Sequence, residues 1–263
     1  MLKRELKLNL KSFLLWTSAL LIMFLAVFLM YPSIINSENI TMMEEMMKMF
    51  PEELLKAFNM DISVMDTAYG WLKSEGFIFI LLVTGIYASL LGSNIVLKEE
   101  NDRTIEYLNS LPIKRKNILT DKIITGIIYI VAMVLIIAIF NYIGLEISGD
   151  FDRKQYVLLS ITPLISSIPL FAITLFLSTF MKKTKSTIGL SIGVALLSYV
   201  LQILSEISEV TEPLKYFTVY TLADIRNVII DITINPLMII ISLGITSILI
   251  VGTYIKYENK ELV

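Results

Sequence analysis

The sequence predicts an all-α membrane protein with six transmembrane helices, and three observations carry this. Of its 263 residues 56% are hydrophobic and only 17% charged, against roughly 25% charged in a soluble domain. The apolar residues gather in runs of about 20, the length a helix needs to cross a hydrocarbon layer of roughly 30 Å. Lys and Arg cluster in alternate connections between those runs, as they do in polytopic membrane proteins. Cysteine and histidine are both absent, which excludes disulfides, thiolate or His-ligated metal sites and Ser-His dyads. A net charge of −2 with no lysine stripe gives no footprint for nucleic acid.

Within residues 1–13, Leu2, Leu6, Leu10 and Phe13 line one helical face, with Lys3, Arg4, Lys7 and Lys11 beside it. This is the pattern of an N-terminal amphipathic helix at the membrane interface, and equally of a positive flank before a span. The first span covers 13–31, with no small-x-small cleavage pattern after it, so it reads as uncleaved. An outer loop follows over 32–76. Met42, Met43, Met46, Met47 and Phe50 share one helical face there. Flexible thioethers suit an element packed on an outer gate against varied apolar cargo, a reading that outweighs a Cu(I) site.

Span two covers 77–97, and a charged segment over 98–122 leads to span three at 123–145. Thirteen of the residues 123–143 are Ile, Leu, Val or Phe, enough to carry Asn141 into the membrane. Span four, 156–180, contains Pro163 and Pro169, which a membrane helix tolerates when neighbours satisfy the freed backbone groups. Span five, 186–204, carries Gly189-x-x-x-Gly193, a spacing that permits close helix approach, within this chain or with another. Over 213–235 apolar residues mix with Asp224, Arg226 and Asp231. At roughly 2.5–3.5 kcal/mol per charge at mid-membrane, the sum about cancels, so the segment is predicted to be a re-entrant helix dipping into the outer leaflet. Span six covers 236–255. The whole of 1–263 is thus one transmembrane domain.

Fifteen of the 22 Lys and Arg residues fall in 1–12, 98–122, 181–185 and 256–263. The positive-inside rule therefore puts both termini and the charged segment in the cytoplasm, with membrane lipid around the spans.

No Gly is followed by Lys anywhere in the chain, so there is no P-loop for nucleotide phosphates. Glu99-Glu100 with Arg103 lacks the spacing and the histidines of an intramembrane protease. The predicted span interiors hold no charged residue, which argues against a self-sufficient ion carrier. The charged segment itself reads as two short helices broken at Ser110-Leu111-Pro112, with Ser110 as N-cap. At 25 residues it is far longer than a connector needs to be, and Leu108, Leu111 and Ile113 would be out of place in a free loop. It reads as a docking element for a cytoplasmic partner.

Glu99-Glu100…Arg103-Thr104-Ile105-Glu106-Tyr107-Leu108…Leu111-Pro112-Ile113…Arg115…Ile118…Lys122 closely resembles the segment after the second span in ABC-type exporter permeases of the second exporter superfamily. Pro51…Leu54-Leu55…Phe58 and Ala68-Tyr69-Gly70-Trp71-Leu72 add to the likeness, which covers essentially the whole chain. Arg103 stands where many relatives have Gly, and Val219 about where a Pro is common. The resemblance implies a six-helix permease subunit with no cofactor or catalytic motif of its own. ATP and Mg2+ would sit on a separate ATPase present in two copies. It further implies a second permease subunit, as a homodimer or paired permease, with span five near the dimer axis. Residues 103–122 would form the coupling helix, with Glu99, Glu100, Arg103, Glu106 and Arg115 setting register and Leu111 and Pro112 filling a groove of the ATPase. Thr104, Tyr107 and Leu108 would belong to the same surface, and Lys182-Lys183-Thr184-Lys185 would be a second, short contact or, equally, a positive-inside anchor.

The expected function is export of amphipathic or apolar cargo, such as an antimicrobial or toxin peptide or a drug, across a bacterial cell membrane. The rival is a membrane immunity or assembly factor that binds a partner without transport.

Overall fold

The computed structural model of the chain describes residues 1–34, 45, 49–50, 67–101, 113–181 and 184–259. In chain order the elements are α1 (Leu2–Ile34), α2 (Ala68–Trp71), a π-helical turn (Leu72–Gly76), α3 (Phe77–Asn101), α4 (Arg115–Ser148), α5 (Arg153–Ser178) and α6 (Thr184–Ile207). Two 3-10 turns (Glu212–Phe217 and Tyr220–Ala223), α7 (Ile225–Asp231) and α8 (Pro236–Glu258) complete it. Among the described residues there is no strand, and six helical stretches are long and apolar enough to cross a membrane.

α3 and α5 form the centre; α6 packs mainly on α3, α8 on α5 and the edge of α4, α4 on both central helices, and α1 on α4. Small residues set their spacing. A Cβ added at Gly92 of α3 would lie 2.4 Å from the Phe171 carbonyl oxygen of α5, and one at Gly126 of α4 would lie 2.3 Å from the Phe171 ring. Without a hydrophobic drive between helices in lipid, such close approach is where packing energy comes from.

α5 runs unbroken through both of its prolines. Each removes the N–H that would bond the carbonyl four residues back, here those of Leu159 and Ile165. Both carbonyls have replacement donors: the Thr162 hydroxyl donates to Leu159 at 2.8 Å, and the Ser242 hydroxyl of α8 donates to Ile165 at 2.7 Å.

Two expectations change. The N-terminal amphipathic helix is not a separate element: α1 is one helix of 33 residues, because no Gly or Pro occurs before Pro32 to break it. Of its residues Glu5 and Asn9 are buried in the bundle, whereas Leu10 of the leucine stripe is 42% exposed. Over 213–235 the single helix anticipated is replaced by the two 3-10 turns and α7, whose seven residues rise only about 10 Å. The breaks fall at extended Thr218 and at Asp224 and Ile232, both left-handed with φ of 47° and 52°.

Candidate functional site

The base of the bundle, where α1 and α4 begin and α3 and α8 end, holds an ion pair buried on both sides. Lys122, in the second turn of α4, is 0% exposed. Its ammonium lies 3.3 Å from Glu5 Oε2 of α1 and donates to the Ile95 carbonyl of α3 at 2.6 Å. Glu5 is 1% exposed, and Arg4 Nη1 approaches its other oxygen at 3.6 Å. Taking both charges out of water costs several kcal/mol per ion, and deleting one partner of such a pair costs roughly 3–5 kcal/mol. The pair therefore holds only because three helices converge on it.

Further contacts lock α1 in place. The Lys98 ammonium of α3 donates to the Leu8 carbonyl at 2.8 Å, and the Tyr129 hydroxyl of α4 donates to the Leu6 carbonyl. The rings of Phe13 and Tyr129 pack tilted by 34° with centroids 4.8 Å apart; within α1, Asn9 Nδ2 is satisfied by the Glu5 carbonyl at 2.9 Å.

On its other side α4 meets the last turns of α8. Thr120 and Tyr254 share a hydroxyl–hydroxyl bond of 2.7 Å. Lys116 Nζ lies 3.3 Å from Glu258, and Arg115 Nη1 donates to the Glu258 carbonyl at a long 3.4 Å. Lys116 and Glu258 are 62% and 41% exposed, so this ion pair is worth about 0–1 kcal/mol. The first two turns of α4 are thus gripped firmly by α1 and lightly by α8.

The opposite end is closed by a different network. Tyr69 donates to Gln155 Oε1 and Gln155 Nε2 donates to the Ile229 carbonyl, both at 2.8 Å, joining α2, α5 and α7. Tyr69, Phe77, Tyr142, Phe151 and Tyr156 pack around this point edge to face or tilted, an arrangement that aromatic quadrupoles favour.

The sequence-predicted residues distribute as follows. Glu99 and Glu100 lie in the last turn of α3, and Arg115 opens α4. Arg103, Thr104, Glu106, Tyr107, Leu108, Leu111 and Pro112 fall outside the described residues, as do Met42, Met43, Met46 and Met47; Phe50 is exposed. Ser110, the expected N-cap, also falls outside the described residues, and α4 starts at Arg115 after extended Lys114 (ψ 139°). At Gly189 and Gly193 no described atom lies within 4 Å of an added Cβ, so that face of α6 is open.

Sequence reasoning missed Glu5, Asn9 and Tyr254, and valued Lys122 only as part of a motif. A signal for the first two existed: Glu5, Asn9, Phe13 and Thr17 form one stripe at a four-residue spacing, and all four are buried. Among the described residues no group of three or more Asp or Glu stands close enough to hold a metal.

A helical bundle of six apolar spans, tied at one end by a buried ion pair, is a polytopic membrane protein. A model of the ABC-2 family transporter proteins matches residues 1–262, and the chain belongs to that family. It is therefore the membrane component of an ABC transporter, a family in which ATPase activity lies in separate subunits with which the permease associates. No curated protein and no solved structure matches the chain.

Proposed function

We propose that this chain is the permease of an ATP-driven exporter, moving amphipathic or apolar cargo out of a bacterial cell, with the base of the bundle facing the cytoplasm. Residues 99–122 are its coupling segment, and two copies of the ATPase supply the work, with ATP and Mg2+ bound there. The observation that carries this reading is the buried Lys122–Glu5 contact. It roots the far end of the segment in α1 and α3, so that a push on 102–112 reaches the spans instead of being lost in a slack loop. The absence of charge in the predicted span interiors suits apolar or amphipathic cargo, a toxin or antimicrobial peptide or a drug, better than an ion. The open face of α6 at Gly189 and Gly193 offers a contact for a second permease, identical or paired. The segment 213–235 and the Met-rich part of 32–76 lie on the outer side, near the exit.

The test is co-purification of an ATPase with the chain, followed by reconstitution in lipid vesicles. Leu111→Asp is expected to abolish permease-stimulated ATP hydrolysis while leaving the thermal stability of the bundle unchanged. Wild-type hydrolysis in that variant would remove residues 99–122 from the coupling role.

A further inference from the structure

The two grips on the root of α4 differ in kind. On the α1 side the central contact is buried: Lys122 and Glu5 are shut away from water, the Ile95 carbonyl that accepts from Lys122 belongs to a fully buried residue, and Asn9 and Phe13 of α1 are buried as well. Parting Lys122 from Glu5 would separate two opposite charges in a low-dielectric interior, where the attraction between ions is strongest. On the α8 side the Lys116–Glu258 pair is exposed, the Arg115 contact is long, and the Thr120–Tyr254 bond joins two neutral hydroxyls. Water can replace the Lys116–Glu258 and Arg115 contacts at little cost, and parting the part-buried Thr120–Tyr254 bond strands no charge. A load arriving through the segment that joins α3 to α4 meets a joint that holds on one side and opens on the other.

We infer that Glu5 and Lys122 are positioning residues for coupling: their buried pair makes the first turns of α1, the last turns of α3 and the root of α4 one rigid pivot, and the α4–α8 contacts are those that part during the transport cycle. This rests on the permease reading, and assigns the direction of movement that the reading leaves open. α1 thereby becomes a driven element and not a passive anchor.

The absence of cysteine allows spin labels to be placed without background. Two pairs of exposed positions report on the two grips: Lys3→Cys with Asn117→Cys across α1 and α4, and Asn117→Cys with Asn259→Cys across α4 and α8. Distances are measured by double electron–electron resonance in the reconstituted complex with its co-purified ATPase, nucleotide-free and trapped with Mg-ATP and vanadate. The expected result is an unchanged 3–117 distribution and a 117–259 distribution shifted to longer distance. A shift in the first, or none in the second, overturns the pivot.

A second arm separates positioning from mere structure. The double variant Glu5→Met/Lys122→Met replaces the ion pair by apolar chains, a change that commonly preserves or raises stability. It is expected to keep the wild-type unfolding temperature, broaden the 3–117 distribution and lower stimulated ATP hydrolysis by about tenfold. Full hydrolysis in that variant would make the pair structural only. Should no ATPase co-purify with the wild-type chain, the permease reading itself fails and the pivot with it. That outcome is distinct from a complex that forms and moves differently.

Discussion

Ser242 stands in for a backbone amide: its hydroxyl donates at 2.7 Å to the Ile165 carbonyl, the group that Pro169 leaves without its helical N–H. One residue of α8 thus completes the hydrogen bonding of α5, inside a layer where water is not available to do so. Ser242→Ala is expected to destabilise the chain by about 1–2 kcal/mol, the cost of a buried unsatisfied carbonyl. Pro169→Ala restores an N–H at that position. In the double variant the loss at Ser242 should therefore nearly vanish, and a double-mutant cycle by denaturant unfolding in detergent should give a coupling of about 1 kcal/mol. Strict additivity would mean that the hydroxyl is not serving that carbonyl.

Two lysines six positions apart on α4 should behave as different residues. Lys116→Ala is expected to change stability by less than about 1 kcal/mol, since its pair with Glu258 is exposed. Lys122→Ala removes the buried cation from the buried Glu5 carboxylate and is expected to cost about 3–5 kcal/mol. Unfolding curves recorded side by side decide this, and equal losses would contradict the burial difference.

Glycines on the two faces of the bundle should also part company. Gly92→Ala puts a methyl group 2.4 Å from the Phe171 carbonyl oxygen, and forcing α3 from α5 should cost about 1–3 kcal/mol. Gly189→Ala meets nothing within 4 Å and gains helix propensity, so the isolated chain should be unchanged or about 0.5–1 kcal/mol more stable. Cross-linking of the reconstituted chain at increasing protein-to-lipid ratio would show whether that substitution weakens self-association.

Asp224 links stability to pH. Burial raises its carboxyl above the ordinary value of 3.8, with Asp231 adding to the shift and the hydrogen bond from Asn227 opposing it. A folded-state value above the unfolded one means that the folded chain binds the proton more tightly. Its contribution therefore favours folding at low pH and is lost as pH rises from 3.8 through the raised value. Asp224→Asn keeps the left-handed backbone, which Asn tolerates, and can still accept the bond from Asn227. The variant should lose that part of the pH slope and unfold at higher temperature than wild type at pH 7. A parallel pair of melting-temperature profiles would refute this account.

The six spans were legible because each apolar run satisfies the length and hydropathy criteria by itself, without reference to any other part of the chain. The base was not. Glu5 and Lys122 lie 117 residues apart, and Ser242 and Ile165 lie 77 apart, so nothing in sequence order joins them. For α1 the difficulty was specific: two stripes at the same period run along its first turns, one of leucines and one of Glu5 and Asn9. Periodicity identifies both but cannot say which turns inward when the surface they meet contains a buried lysine. Over 213–235 the apolar content was read correctly as too charged for a span. The left-handed backbone at Asp224 and Ile232 left no comparable sign, since neither is a glycine.

The length of α4 gives its root a mechanical meaning. At about 1.5 Å per residue, its 34 residues reach about 51 Å, well beyond a hydrocarbon layer of roughly 30 Å. Lys122 divides that rod unequally, with about 10 Å on the Arg115 side and about 39 Å on the Ser148 side. An undeformed rod turning about Lys122 would convert each ångström of travel at Arg115 into about four at Ser148. A small stroke in the aqueous phase would be geared up into a large excursion at the far mouth of the bundle.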